Sequence, residues 1–187
     1  MTSVKKMTLG DKVFDTLASG RLCFILGGLY LVNQILIGWI VHPLGADMLN
    51  LQLTLNEAVF SKIVQGWSQD QLAIYYRHFY LDFLHPFIYA GFLASAIATL
   101  SKQEGTSTVS MHRFLFYLPF VAGTCDLLEN CLHLFLIPRV PDIPEALVAL
   151  SGGATNIKWF LACMCLGGMG YLGFRRLLYR IAMGRQS

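Results

Sequence analysis

Charge is what this chain has least of. Only 13% of its 187 residues are Asp, Glu, Lys or Arg and 55% are hydrophobic, with a mean hydropathy of +0.54; an ordinary soluble domain carries about 25% charged residues. A large water-soluble domain is excluded, and a membrane protein is implied. The chain also lacks C-x-x-C. Its five cysteines, Cys23, Cys125, Cys131, Cys163 and Cys165, fall in apolar runs at spacings that put neither close pair on one helical face. A quinone-linked disulfide oxidoreductase is disfavoured, and the thiols read as small packing residues. There is no convincing internal repeat, so an inverted-repeat transporter has no support. Neither H-E-x-x-H nor a paired E-x-x-H occurs, which argues against zinc, iron or haem. No cofactor or metal is expected.

What is there is apolar sequence in blocks of spanning length, about 20 residues each. Four spans are expected: Leu22 to Val41, about Phe79 to Leu100, Arg113 to Pro138, and about Ala154 to Phe174. The fold class is all-α, a four-transmembrane-helix bundle forming a single integral membrane domain over residues 1–187. The first run follows Lys5, Lys6, Lys12 and Arg21 as a signal peptide would, but its core is too long and no small-residue cleavage site follows, so it reads as a retained helix.

Basic residues give the orientation, because Lys and Arg resist translocation. Lys5, Lys6, Lys12, Arg21, Lys102, Arg113, Arg175, Arg176, Arg180 and Arg185 fall on one side; Lys62, Arg77 and Arg139 fall on the other. Both termini are expected in the cytoplasm, of a membrane the sequence does not name. The net charge of +3 then describes a cytoplasmic rim and gives no reason to expect nucleic acid.

Between the first two spans, residues 42–78 are long enough to hold structure. Thr54 to Glu57 has capping-box spacing, and Leu55, Val59, Phe60, Ile63 and Val64 make one apolar stripe. A short external amphipathic helix is expected there, ended by Gly66. Ser68 to Gln71 supplies a second capping box, from which a helix should run without interruption into the second span. The loop SKQEGTSTVSMH is polar and expected to be mobile. Ala122, Gly123, Gly167 and Gly170 are expected to let helices pack closely, and Gly152-Gly153 to loosen or cap the start of the fourth span. Tyr89, Trp39, Trp67 and Trp159 suit interfacial anchors.

Against this background the stretch DLLENCLH stands out. Asp126, Glu129, Asn130 and His133 are spaced i, i+3, i+4, i+7, one face of one helix, and turned to lipid each charge would cost about 2.5 to 3.5 kcal/mol. The second span repeats the pattern with His78, Asp82, His85 and Tyr89. Because Pro86 donates no hydrogen bond, the carbonyl of Asp82 is left free as well. Gln34 and Lys158 add polar groups from the first and fourth spans. At 1.5 Å per residue, Asp82 and Lys158 lie roughly 5 Å inside the outer edge, Gln34 and Asn130 roughly 10 Å, and Asp126 near the middle. One polar cavity, opening outward, would collect them.

Asp82, Asp126 and Glu129 face a single Lys158, so full ionisation leaves two negative charges uncompensated in a low-dielectric site. Either a carboxyl holds its proton, a histidine is charged, or a cationic ligand binds. The plainer alternative is a polar seam that holds helices together. A metal site from His78, Asp82, His85, Asp126, Glu129 and His133 is conceivable by residue type. However, His42 and His78 are expected at wet interfacial positions.

In these residues the chain resembles a group of small, uncharacterised four-helix membrane proteins, mostly bacterial. They share L-D-x-x-x-P-x-x-Y, D-x-x-E-N and T-x-x-K-W, here Leu81, Asp82, Pro86 and Tyr89; Asp126, Glu129 and Asn130; and Thr155, Lys158 and Trp159. The resemblance runs from about Thr54 to the fourth span and selects Asp82, Asp126, Glu129, Asn130 and Lys158 as the shared set; it implies no activity. His85 and His133 stand where such proteins often look aromatic and aliphatic. In architecture alone the chain is similar to the emopamil-binding (EXPERA) proteins, four-helix sterol isomerases and receptors with acidic membrane cavities, although their motifs are not visible.

Two function classes follow. In the first the protein is an enzyme doing acid–base chemistry on a lipid or amphiphilic small molecule. Glu129 and Asp126 are then the catalytic pair, Asp82 and Lys158 tune them, and Asn130, His133, His85 and Gln34 contact the substrate. In the second the same carboxylates bind a cation, proton or amine for transport, and so small a transporter is expected to form a homodimer. An accessory subunit of a larger membrane complex is a third reading.

Overall fold

The computed structural model describes residues 8–102 and 109–184. Lys5, Lys6 and Arg185 lie outside these residues, as does half of the loop expected to be mobile. Among the described residues the chain is all-α, with no strand. Its helices are α1 Leu9–Leu17, α2 Gly20–Val41, α3 Asp47–Leu53, α4 Glu57–Gly66, α5 Gln69–Asp82, α6 His85–Lys102, α7 Val109–Leu136 and α8 Glu145–Gly184, with 3-10 turns at His42–Leu44 and Ile137–Arg139. Three helical segments are long and apolar enough to cross a membrane: Gly20–Leu44, His112–Arg139 and Glu145–Ala182. Gln69–Asp82 and His85–Lys102 make a fourth if taken as one broken span bent by 42°.

Capping side chains fix the helix starts by taking up N–H groups that lack an intrahelical partner. Ser68 Oγ accepts from Gln71 N at 3.2 Å while Gln71 Oε1 accepts from Ser68 N at 3.0 Å, so the expected second capping box is present. Elsewhere the sequence reading needs correction. α4 is capped by Asn56, whose Oδ1 accepts from Val59 N at 3.1 Å, because Thr54 turns its hydroxyl to Asn56 N. Of the expected stripe, Phe60 and Val64 are buried and Leu55 and Val59 exposed. Helices α1 and α3 were not foreseen. The turn into α3 rests on Gly45, whose φ of 58° suits a residue without Cβ.

The helix expected to run from Ser68 through the second span is broken at Phe83 and Leu84. Pro86 is the cause: it has no N–H to give the carbonyl of Asp82 and its ring crowds that carbonyl. Two side-chain amides cover the break. Asn130 Nδ2 from α7 donates to Asp82 O at 3.2 Å, and Asn33 Nδ2 from α2 donates to Leu81 O at 3.4 Å.

Gly152 and Gly153 neither loosen nor cap a helix start, since α8 begins at Glu145 and passes straight through them. A Cβ at Gly152 would collide with the Thr54 carbonyl, so this glycine admits the α3–α4 connection, and Asn156 Nδ2 then reaches Leu53 O at 3.2 Å. Gly123 does sit closely, 3.3 Å from the Pro86 carbonyl by the same measure. Gly167 and Gly170 face open space, and Gly168 packs on Leu115.

The buried apolar residues form two clusters. One, around Leu51, Phe60, Trp67, Tyr75, Phe79 and Leu136, joins α3, α4 and α5 to the adjoining ends of α7 and α8. The other, around Ala90, Ala94, Ile97, Phe116, Ala122 and Leu172, unites α6, α7 and α8 farther along. A polar layer separates them. Helix α2 packs on α5 and α6, α8 on α6 and α7, and among the described residues α2 and α8 share no extensive interface.

Candidate functional site

Helix α7 brings Asp126, Glu129, Asn130 and His133 into the polar layer, as their spacing requires. Only Asp126 of the four borders the cavity lined by α2, α6 and α8. Lys158 of α8 reaches across and donates to Asp126 Oδ1 at 2.9 Å and Glu129 Oε2 at 2.6 Å. Glu129 is fully buried and Asp126 and Lys158 nearly so. Charge-assisted bonds of this length are strong, which offsets part of the large cost of taking three charges out of water. Glu129 Oε1 has no hydrogen-bond partner among the described residues.

The cavity holds about 500 Å³. Asp82, His85 and Tyr89 stand on its α5–α6 wall, Asp126 and Lys158 opposite, and Gln34 on α2. His85 Nδ1 donates to Asn33 Oδ1 at 2.6 Å, and Asn33 is the same residue that covers the Leu81 carbonyl. Asp82 Oδ2 lies 3.7 Å from His78 Nε2, too far for a hydrogen bond.

Not every selected residue faces this space. Glu129 sits behind Lys158, and Asn130 is occupied with the Asp82 carbonyl. His133 lies against the apolar cluster that contains Tyr75 and Phe60, where its Nδ1 is 2.5 Å from Tyr75 Oη and its ring meets Phe60 edge-on. His78, expected to be wet, is entirely buried; its Nδ1 donates to the Tyr75 carbonyl and its Nε2 has no hydrogen-bond partner among the described residues. Trp67 and Tyr89 are also buried, whereas Trp39 is exposed and Trp159 forms part of the cavity rim.

Two participants escaped the sequence reading. Asn33 is buried while its neighbour Gln34 is exposed at the rim; the signal for it was a lone amide beside another in an otherwise apolar helix. Tyr75 was passed over as one tyrosine among several. Among the described residues no three His, Cys, Asp or Glu side chains are grouped to hold a metal ion. All five cysteines are free.

No family model, curated protein or solved structure matches the chain. Its helices make it consistent with a membrane protein, and what the site does is argued from geometry.

Proposed function

We propose that the chain crosses the membrane four times, α5 and α6 together forming one broken span, with both termini in the cytoplasm. Lys12, Arg21, Lys102, Arg113, Arg175, Arg176 and Arg180 near the α1 end, against Lys62, Arg77 and Arg139 near the other, support this orientation. The cavity then lies toward the non-cytoplasmic side. We infer that it is the active site of an enzyme that moves protons on a lipid or amphiphilic small molecule.

The observation that carries this reading is one ammonium shared between two buried carboxylates, on the wall of a cavity that also holds Asp82. Asp82 and Asp126 face the cavity and are the catalytic pair. Glu129 acts through Lys158 as a positioning residue. One carboxylate takes a proton from a substrate carbon and the other carboxyl returns one elsewhere. Substrate atoms and the protein's proton count are unchanged, so isomerisation of this kind needs no co-reactant.

The test is to identify amphiphiles that co-purify with the protein by mass spectrometry and incubate each with it in D2O. Wild type should place deuterium on a substrate carbon. Asp126→Asn should slow this by roughly 10²- to 10⁴-fold while Asp47→Asn, outside the cavity, leaves it unchanged. Binding without deuterium incorporation would favour the second reading, a protein that holds a cation, proton or amine for transport. The excess of carboxylates over Lys158 supports that alternative.

A further inference from the structure

The cavity has a direction. Its end wall is the His42–Leu44 turn and α3, with Met48 and Gln52 buried, and its exposed rim residues include Gln34 and Gly38 on α2 and Trp159 and Leu166 on α8. Those two helices share no extensive interface among the described residues. The mouth therefore lies on the flank of the bundle, where a membrane helix meets lipid tails. From Tyr30 to Val41 the α2 wall runs roughly 16 Å at 1.5 Å per residue, about half the roughly 30 Å hydrocarbon thickness. Apart from Gln34 that wall is Tyr30, Ile37, Gly38 and Val41, and across from it stand Ala162 and Leu166.

The inner end is charged, with carboxylates in excess of ammonium. Asp82 and Asp126 border the cavity with Glu129 behind them, and the one lysine is already divided between two of these three. Tyr30 stacks on Phe92 at 5.6 Å between ring centroids and meets His85 at a tilt at 5.7 Å, and His85 meets Tyr89 at 5.0 Å. A continuous aromatic wall thus stands beside the carboxylates. Carboxylates and ring faces both attract a cation, the more strongly where water is excluded.

We propose that the ligand is a single-chain cationic amphiphile that enters from the bilayer between α2 and α8. Its amine is held by Asp82 and Asp126 against the aromatic wall, and its chain lies along α2. This rests on the reading of the cavity as a ligand site and names the chemical class of the ligand; it stands whether or not the ligand is converted.

The test uses the full chain in phosphatidylcholine nanodiscs, titrated with dodecylamine, dodecanol and dodecanoate, with empty nanodiscs subtracted. Dodecylamine should bind saturably, at least tenfold tighter than dodecanol, and dodecanoate should not bind. Asp82→Asn should abolish the preference for the amine. Gly38→Phe places a ring at the mouth, at a position where a Cβ meets nothing within 4 Å, and should weaken dodecylamine binding at least tenfold. Gly28→Phe, equally open on α2 but outside the cavity, should leave binding unchanged.

Equal affinity for amine and alcohol overturns the cationic head. An amine preference that survives Asp82→Asn overturns its location, and a Gly38→Phe variant that binds normally overturns the lateral route. If Asp82→Asn does not fold, the headgroup series and Gly38→Phe still decide. Absence of deuterium incorporation together with a retained amine preference would sink the enzyme reading and leave this one standing.

Discussion

Two levels of this bundle use the same chemistry in opposite surroundings. Near α1, Asp15 pairs with Lys102 at 3.1 Å and Asp11 with Arg113, with side chains about half exposed save that of Asp11, which is less so. In the polar layer, Lys158 pairs with Asp126 at 2.9 Å and with Glu129 at 2.6 Å, with little access to solvent. Exposed pairs gain little because water and salt screen them. A buried group is under far greater constraint, since a partner left alone keeps its charge and loses its compensation. Distance alone does not rank these pairs; burial does.

Removing the cation from the buried group is the hardest break. Lys158→Met should destabilise the protein by about 3–5 kcal/mol, read by thermal unfolding of the purified chain. Adding Asp126→Asn and Glu129→Gln should restore much of that loss. If Lys158→Met alone is harmless, the two carboxylates do not depend on it and the contrast between the two levels collapses.

A buried neutral contact tests whether burial or charge makes the difference. Asn130→Leu strips the Asp82 carbonyl of its only donor among the described hydrogen bonds. It should cost about 1–3 kcal/mol, less than Lys158→Met but more than any change at the exposed pairs. Unfolding of the two variants side by side gives the order.

The smallest effect is expected at the surface. Asp15→Asn should change stability by less than about 1 kcal/mol, and the difference should vanish when the salt concentration is raised to about 1 M, where the screening length falls to about 3 Å. A salt-resistant loss would mean that the α1 end is tied to the bundle more tightly than its exposure implies.

The helical frame was legible because apolar blocks of spanning length admit few alternatives, and because one helix determines which of its own residues share a face. Asp126, Glu129 and Asn130 needed no partner to be placed on one side of α7. Rotation between helices was harder to read. α2 is apolar nearly all round, with only Asn33 and Ile37 buried, so no periodicity indicated whether Asn33 or Gln34 turned inward. His133 shares a face with Asp126 but stands two turns, about 10 Å, along the axis, which carries it past the cavity to Tyr75. The passage of α8 through Gly152 and Gly153 was illegible too, because a glycine pair reads locally as a weak point. Its reason is a backbone from another part of the chain, the Thr54 carbonyl.

That crossing point has a mechanical consequence. Gly152 and Lys158 are six positions apart on one unbroken helix, an axial distance of about 9 Å. A rigid rod pressed at one point by a neighbouring backbone and bearing an ammonium at another behaves as a lever. Any movement of the α3–α4 connection would be delivered to the carboxylates as a change in the ammonium's reach, with no side chain relaying it between.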